Sequence, residues 1–107
     1  MLLQDVLYKV AIRSVVGSTS VEISDVQTDS RKITRGAAFV AIKGMATDGH
    51  RFIENAIENG AGVVVCEEMP STQKEDVVYV QVENSGAAAA FIAGNFFERP
   101  SERLKLV

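Results

Sequence analysis

The sequence predicts an α/β domain in three layers, a mostly parallel or mixed sheet with helices on both faces. Three short apolar runs carry that prediction, at residues 37–42, 62–66 and 77–82; each is bounded by turn-forming residues and too continuous to leave one face in water. Next to them lie stretches with apolar residues at helical spacing, and strands that alternate with helices are joined by crossovers that make them run parallel.

From the N-terminus, Leu2, Leu3, Val6, Leu7 and Val10 recur at helical spacing and predict a short first helix with one buried stripe. After Gly17-Ser18-Thr19-Ser20, the segment Val21-Glu22-Ile23 alternates as a strand does, and residues 26–30 extend it or start another. Thr34-Arg35-Gly36 reads as a turn before the apolar run at 37–42. The loop from Lys43 to Gly49 leads into a helix with Phe52, Ile53, Ala56 and Ile57 on its inner stripe, ended by Asn59-Gly60. With the run at 62–66 this makes a strand–helix–strand unit, whose crossover is expected to be right-handed. Residues 70–76 are polar and read as a surface connection to the run at 77–82. Asn84-Ser85 offers a cap for a helix over 86–98, which Pro100 stops by disfavouring helical geometry at Arg99. Leu104-Lys105-Leu106-Val107 resembles the beginning of another strand, and we expect from it that the chain is a fragment of something longer.

With 107 residues, 47% of them hydrophobic, the chain suits one compact core, and residues 1–107 are expected to form a single domain. No apolar run approaches the roughly 20 residues that cross a bilayer, and the N-terminus lacks the layout of a secretory signal. The expectation is a cytoplasmic protein with no membrane partner. Eleven basic against fourteen acidic residues, with no basic cluster longer than Arg31-Lys32, disfavours nucleic acid as a partner. A small anionic ligand stays possible, because a few well-placed donors can hold a diphosphate on a weakly acidic protein. The single cysteine, Cys66, has no internal disulfide partner and reads as a small buried side chain.

Two segments stand out as candidates for chemistry, Thr28-Asp29-Ser30-Arg31 and the loop from Gly44 to His50. The loop from Gly44 to Gly49 follows the strand expected to end at Ile42, and in parallel sheets ligands lie beyond the carboxyl ends of the strands. Ser30 offers a hydroxyl that donates and accepts, and Arg31 a planar fork of donors suited to phosphate or carboxylate. Equally, Asp29 and Ser30 can form a turn capped by their own side chains, with Arg31 in a surface ion pair. In the second segment, Asp48 either caps the following helix or borders a ligand whose contacts come from the backbone of Met45, Ala46 and Thr47 and the Thr47 hydroxyl. His50 can hydrogen-bond a ligand or serve the helix start. Adjacent Glu67 and Glu68 read as solvated loop residues. The sequence contains no glycine-rich phosphate loop with its lysine and no Cys/His metal spacing, so no residue is assigned a catalytic or metal-binding role.

Read in order, Asp29-Ser30-Arg31, Gly36, Phe39-Val40-Ala41, Gly44, Asp48-Gly49-His50, Phe52-Ile53, Ala56-Ile57 and Gly60-Ala61 resemble the signature of the N-terminal domain of Mur ligases. The likeness continues through Phe91-Ile92-Ala93, Phe96-Phe97, Pro100-Ser101 and Leu104-Lys105-Leu106-Val107. That ending is most similar to the branch of the family that adds the third residue of the peptidoglycan stem peptide; the branch that adds D-alanyl-D-alanine is the alternative. The resemblance implies a domain that grips the UDP end of UDP-N-acetylmuramoyl-L-alanyl-D-glutamate within an ATP-dependent ligase, and by itself performs no catalysis. It places Thr28 and Ser30 against the nucleotide, and Met45, Ala46 and Thr47 along the uracil pocket. Some relatives carry His-Gln-Ala at the last three positions, so contacts there are expected from the backbone. No cofactor is implied for this chain, whereas ATP and Mg2+ belong to a central domain of the longer enzyme, the expected intramolecular partner. Two other classes stay open. A receiver-like interaction module would end its strands in aspartates, but the apolar runs here end at Lys43, Glu67 and Glu83. A small nucleotide-binding protein would be complete at about this length.

Overall fold

A computed structural model describes residues 1–44 and 48–98. Five strands form one mixed sheet: β1 (Ile12–Val16), β2 (Val26–Gln27), β3 (Ala38–Val40), β4 (Val63–Cys66) and β5 (Val78–Val82), in the order β1-β5-β4-β3-β2. β2, β3, β4 and β5 run parallel, with Ala38 opposite both Val26 and Val63, and Val63 opposite Val78. β1 closes the far edge antiparallel to β5, with an irregularity between Ile12 and Ser14.

Side chains alternate across the central strands, and each set is buried. Ala38, Val40, Val63, Val65, Val78, Val80 and Val82 face helices α1 (Leu3–Val6) and α3 (Ser85–Ala93), together with Leu7 and Phe96. Ala37, Phe39, Ala41, Val64, Cys66, Val77 and Tyr79 face helix α2 (Ile53–Glu58), meeting Ile53, Ala56 and Ile33. This two-sided cover is why the three runs are apolar at nearly every position; the exception, Gln81, donates from Nε2 to the Glu67 carbonyl at 3.0 Å. Each large side chain in them contributes roughly 1.5–3 kcal/mol relative to exposure. The turns follow their residues: Gly36 and Gly60 both have positive φ, at 84° and 115°.

Several expectations need correcting. The first helix is four residues long; Lys9, at φ 70°, turns the chain away before Val10 joins its stripe. Asn95 instead reaches back and donates to the carbonyls of Val6 and Tyr8 at 2.8 and 2.7 Å, satisfying acceptors at that helix end. Residues 12–16, for which no strand was expected, form β1. Val21-Glu22-Ile23 contributes only a bridge between Leu2 and Glu22. The last helix is α-helical from Ser85, with Asn84 capping it through Ala87 N at 3.0 Å, and passes at Gly94–Glu98 into a π-helical segment. Pro100 and the strand expected at Leu104 to Val107 lie outside the described residues. Among the described residues no helix is long and apolar enough to cross a membrane.

Candidate functional site

The carboxyl ends of β2 to β5 share one rim, and both candidate segments lie on it. Past β2, Asp29 takes extended geometry and its carboxylate accepts from Arg31 N at 2.9 Å, starting a 3-10 turn at Ser30–Lys32. The turn points Ser30 inward, only 4% exposed. Two asparagines one helical turn apart on α2 and its C-cap hold it: Asn55 Nδ2 donates to Ser30 Oγ at 3.0 Å, and Asn59 Nδ2 to the Ser30 carbonyl at 2.8 Å. Arg31 points outward and grips Asp29 with two of its nitrogens at 3.1 and 2.9 Å. That pairing holds the Asp29 carboxyl down at about 2.

Thr28, Asp29, Ser30, Arg31, Phe52 and Asn55 line a cavity of about 470 Å³. The structure therefore brings Thr28, Ser30 and Arg31 together, with Arg31's fork partly engaged by Asp29. It adds two residues that sequence reasoning did not assign to a site. Phe52 was expected on the buried stripe of the helix, but it is 40% exposed and forms a wall of this cavity. It belongs to the 3-10 turn Gly49–Phe52, and three residues per turn instead of 3.6 shifts it out of phase with Ile53 and Ala56. Asn55 is visible as a polar residue on a helix, but its link to Ser30 spans 25 positions and needs the fold.

His50 sits elsewhere on the rim. Its Nδ1 pairs with Asp48 Oδ1 at 2.6 Å, and its Nε2 accepts from the backbone N–H groups of Glu67 and Glu68 at 2.9 and 3.2 Å. Both ring nitrogens thus serve the protein, in the tautomer that carries its hydrogen on Nδ1. The expectation of a ligand hydrogen bond from His50 gives way to the structural reading: the ring ties the start of α2 to the end of β4. His50 lines a second cavity, of about 550 Å³, with Met69 and Tyr79, apart from Thr28, Ser30 and Arg31. Met45, Ala46 and Thr47 lie outside the described residues.

Glu67 also departs from its expected solvated role. Its carboxylate accepts from Ser85 N and Ser85 Oγ at 2.8 and 2.7 Å, and these bonds hold its pKa below the ordinary range. Ser85 Oγ in turn accepts from Lys43 N at 2.8 Å, so one buried serine joins the ends of β3, β4 and β5. Glu68 is exposed and pairs with Lys43 at 3.7 Å. Cys66 is fully buried, and burial pushes its thiol up to about 11, which leaves it protonated and unreactive near neutral pH. Among the described residues, no group of three or more His, Cys, Asp or Glu side chains is arranged to hold a metal ion.

Residues 22–97 match the Mur ligase family, catalytic domain. The chain belongs to the Mur ligase family. Its likeness to curated Mur ligases runs the length of the chain. It is 44% identical over 108 residues to the UDP-N-acetylmuramoyl-L-alanyl-D-glutamate--2,6-diaminopimelate ligase of Cytophaga hutchinsonii, covering 100% of this chain and 22% of the relative. The enzyme of the same name from Clostridium tetani is 38% identical over 109 residues, again with 22% of its length covered. The chain therefore spans 22% of the length of these relatives. Among solved structures, MurF from Acinetobacter baumannii superposes with a TM-score of 0.71 at 22% identity, over 94% of this chain and 21% of that one. That likeness bears on the Mur ligase fold alone, and it agrees with the three-layer α/β architecture described above.

Proposed function

We propose that this chain is the substrate-nucleotide-binding domain of an ATP-dependent ligase that joins a diamino acid to UDP-N-acetylmuramoyl-L-alanyl-D-glutamate. In this reading residues 1–107 grip the UDP end through Thr28, Ser30 and Arg31, and the chemistry occurs on other domains of a longer cytoplasmic enzyme. The observation that carries it is the cavity beyond β2, where a buried serine hydroxyl, a guanidinium and an exposed aromatic ring converge at the carboxyl edge of a parallel sheet. The shared name of the Cytophaga and Clostridium relatives supports both the UDP-linked dipeptide and 2,6-diaminopimelate as the pair to be joined. The backbone of Met45, Ala46 and Thr47 remains part of the proposed contact set on the strength of the family resemblance.

ATP and Mg2+ belong to the proposed full enzyme, but the described residues do not fit them: they offer neither a glycine-rich phosphate loop nor a carboxylate cluster. No step through that pair is assigned to this chain. Its role is to anchor. Binding energy from the non-reacting nucleotide holds the distant carboxylate in place and so lowers the entropic part of the barrier.

The test is an NMR titration of the isotopically labelled chain with UDP-N-acetylmuramoyl-L-alanyl-D-glutamate, with ATP as control. Shifts concentrated on residues 28–31, Phe52 and Asn55 with the UDP ligand, and absent with ATP, are the expected result. Equal shifts with both ligands, or none with the UDP ligand, would remove the assignment.

A further inference from the structure

We infer that Asn55 is a positioning residue for the cavity beyond β2: it occupies an acceptor site of the Ser30 hydroxyl and so turns that hydroxyl into a donor directed at a ligand oxygen. The inference rests on the nucleotide-binding reading above and adds to it the polarity of one contact.

A serine hydroxyl has one hydrogen and two lone pairs, and it rotates to suit its neighbours. Here the neighbours leave little choice. Asn55 Nδ2 donates to Oγ at 3.0 Å, so the Ser30 hydrogen must point away from the Asn55 amide. Among the described residues that hydroxyl makes no hydrogen bond as a donor, and Ser30 is 4% exposed and lines the cavity, so the cavity is where we place its partner. The backbone around it is held from both sides. Asn59 grips the Ser30 carbonyl at 2.8 Å, and Asp29 grips Arg31 N at 2.9 Å. Rotation about the Ser30 side chain is the remaining freedom, and Asn55 biases it.

The matching ligand atom is therefore a hydrogen-bond acceptor. A nucleoside diphosphate presents acceptors on its nucleoside, the base carbonyl and ribose oxygens, and on its phosphates. An opposite polarity at position 55 should destroy the match. In Asn55→Asp a carboxylate faces Oγ, accepts the Ser30 hydrogen for itself, and leaves the ligand oxygen facing lone pairs.

The experiment measures affinities of the chain and of Ser30→Ala, Asn55→Asp and the double variant by NMR titration, with uridine, UDP and inorganic pyrophosphate as separate probes. Ser30→Ala is expected to weaken UDP roughly tenfold, as for one hydrogen bond to a charged or strongly polar acceptor, and Asn55→Asp to weaken it at least as much. The Asn55→Asp substitution also adds a negative charge, so the double variant decides: once the hydroxyl is gone, Asn55→Asp should lose most of its effect. The backbone spectrum of each variant reports whether it is folded. A fully additive double variant, or Asn55→Asp binding as the unsubstituted chain does, overturns the positioning role and leaves the nucleotide reading standing. An unsubstituted chain that moves no peak with any probe overturns both. Dependence on Asn55 with uridine and UDP but not with pyrophosphate assigns the acceptor to the nucleoside, and dependence with UDP and pyrophosphate but not with uridine assigns it to a phosphate oxygen.

Discussion

The same short device occurs twice on the rim of the sheet and is put to opposite uses. At Asp29-Ser30-Arg31 and at Asp48-Gly49-His50 an aspartate in extended geometry accepts from the backbone N–H two residues on, at 2.9 and 3.0 Å, and starts a 3-10 turn. In both, the side chain at the third position returns to the aspartate. What differs is where the outer and middle residues go. Arg31 is 84% exposed and has solvent beyond it, whereas His50 is 11% exposed and has the backbone of Glu67 and Glu68 beyond it. Ser30 projects a hydroxyl into a cavity, whereas Gly49 lies against the backbone of Ile42. A capping motif thus says where a turn starts. Whether the turn faces a ligand or fastens the fold is decided by its surroundings.

The strongest way to break the comparison is at the middle position. A Cβ at Gly49 would stand 2.7 Å from Ile42 N and 2.9 Å from Ile42 O, backbone atoms with no room to move. Gly49→Ala should therefore cost about 3 kcal/mol, at the upper end of overpacking effects, read as a lower urea midpoint. An unchanged midpoint would mean that the two turns are not distinguished by packing.

At the third position the effects should be smaller but still unequal. His50→Ala leaves the N–H groups of Glu67 and Glu68 without their acceptor, one of them part-buried, for an expected loss of about 2 kcal/mol. Arg31→Ala removes an exposed, solvent-screened ion pair and should leave the urea midpoint close to unchanged. Equal losses in the two variants would place the turns in one class after all.

The asymmetry also marks how far the sequence could be read. The interior strands were legible because cover on both faces makes nearly every position apolar, as at Val63, Val64, Val65 and Cys66. β1 was not, because an edge strand can leave Ile12 and Val16 partly exposed, at 40% and 41%, and so shows no clean pattern. Both aspartate caps follow from local chemistry, since an Asx turn needs only its own neighbours. The contacts of His50 with Glu67 and Glu68, 17 and 18 positions away, and of Asn55 and Asn59 with Ser30 exist only once α2 is packed, so nothing local announces them. Thr28, Ser30 and Arg31, neighbours in the sequence, line one cavity, while Phe52 changed sides because a 3-10 turn altered the helical phase.

The smallest effect separates the two aspartates by their causes. Asp29 is lowered from 3.8 to about 2, first by the Arg31 side chain and then by the Arg31 backbone N–H. Asp48 is lowered too, but first by the backbone N–H of His50 and only then by its ring. A carboxylate with a lowered pKa contributes stability that is fully present above its unfolded value near 3.8 and is lost as pH falls through the folded value, here about 2 for Asp29. Carboxyl resonances followed by NMR through the acid range would show both. Arg31→Ala should raise the Asp29 midpoint, because its largest cause is gone, while the surviving backbone N–H of residue 31 keeps it below 3.8. His50→Ala should leave Asp48 still lowered, because the backbone donor survives the substitution. If both aspartates relax alike, the Asp48 turn is held by its ring after all, and the distinction between a solvent-facing and an inward-fastened cap would rest on packing alone.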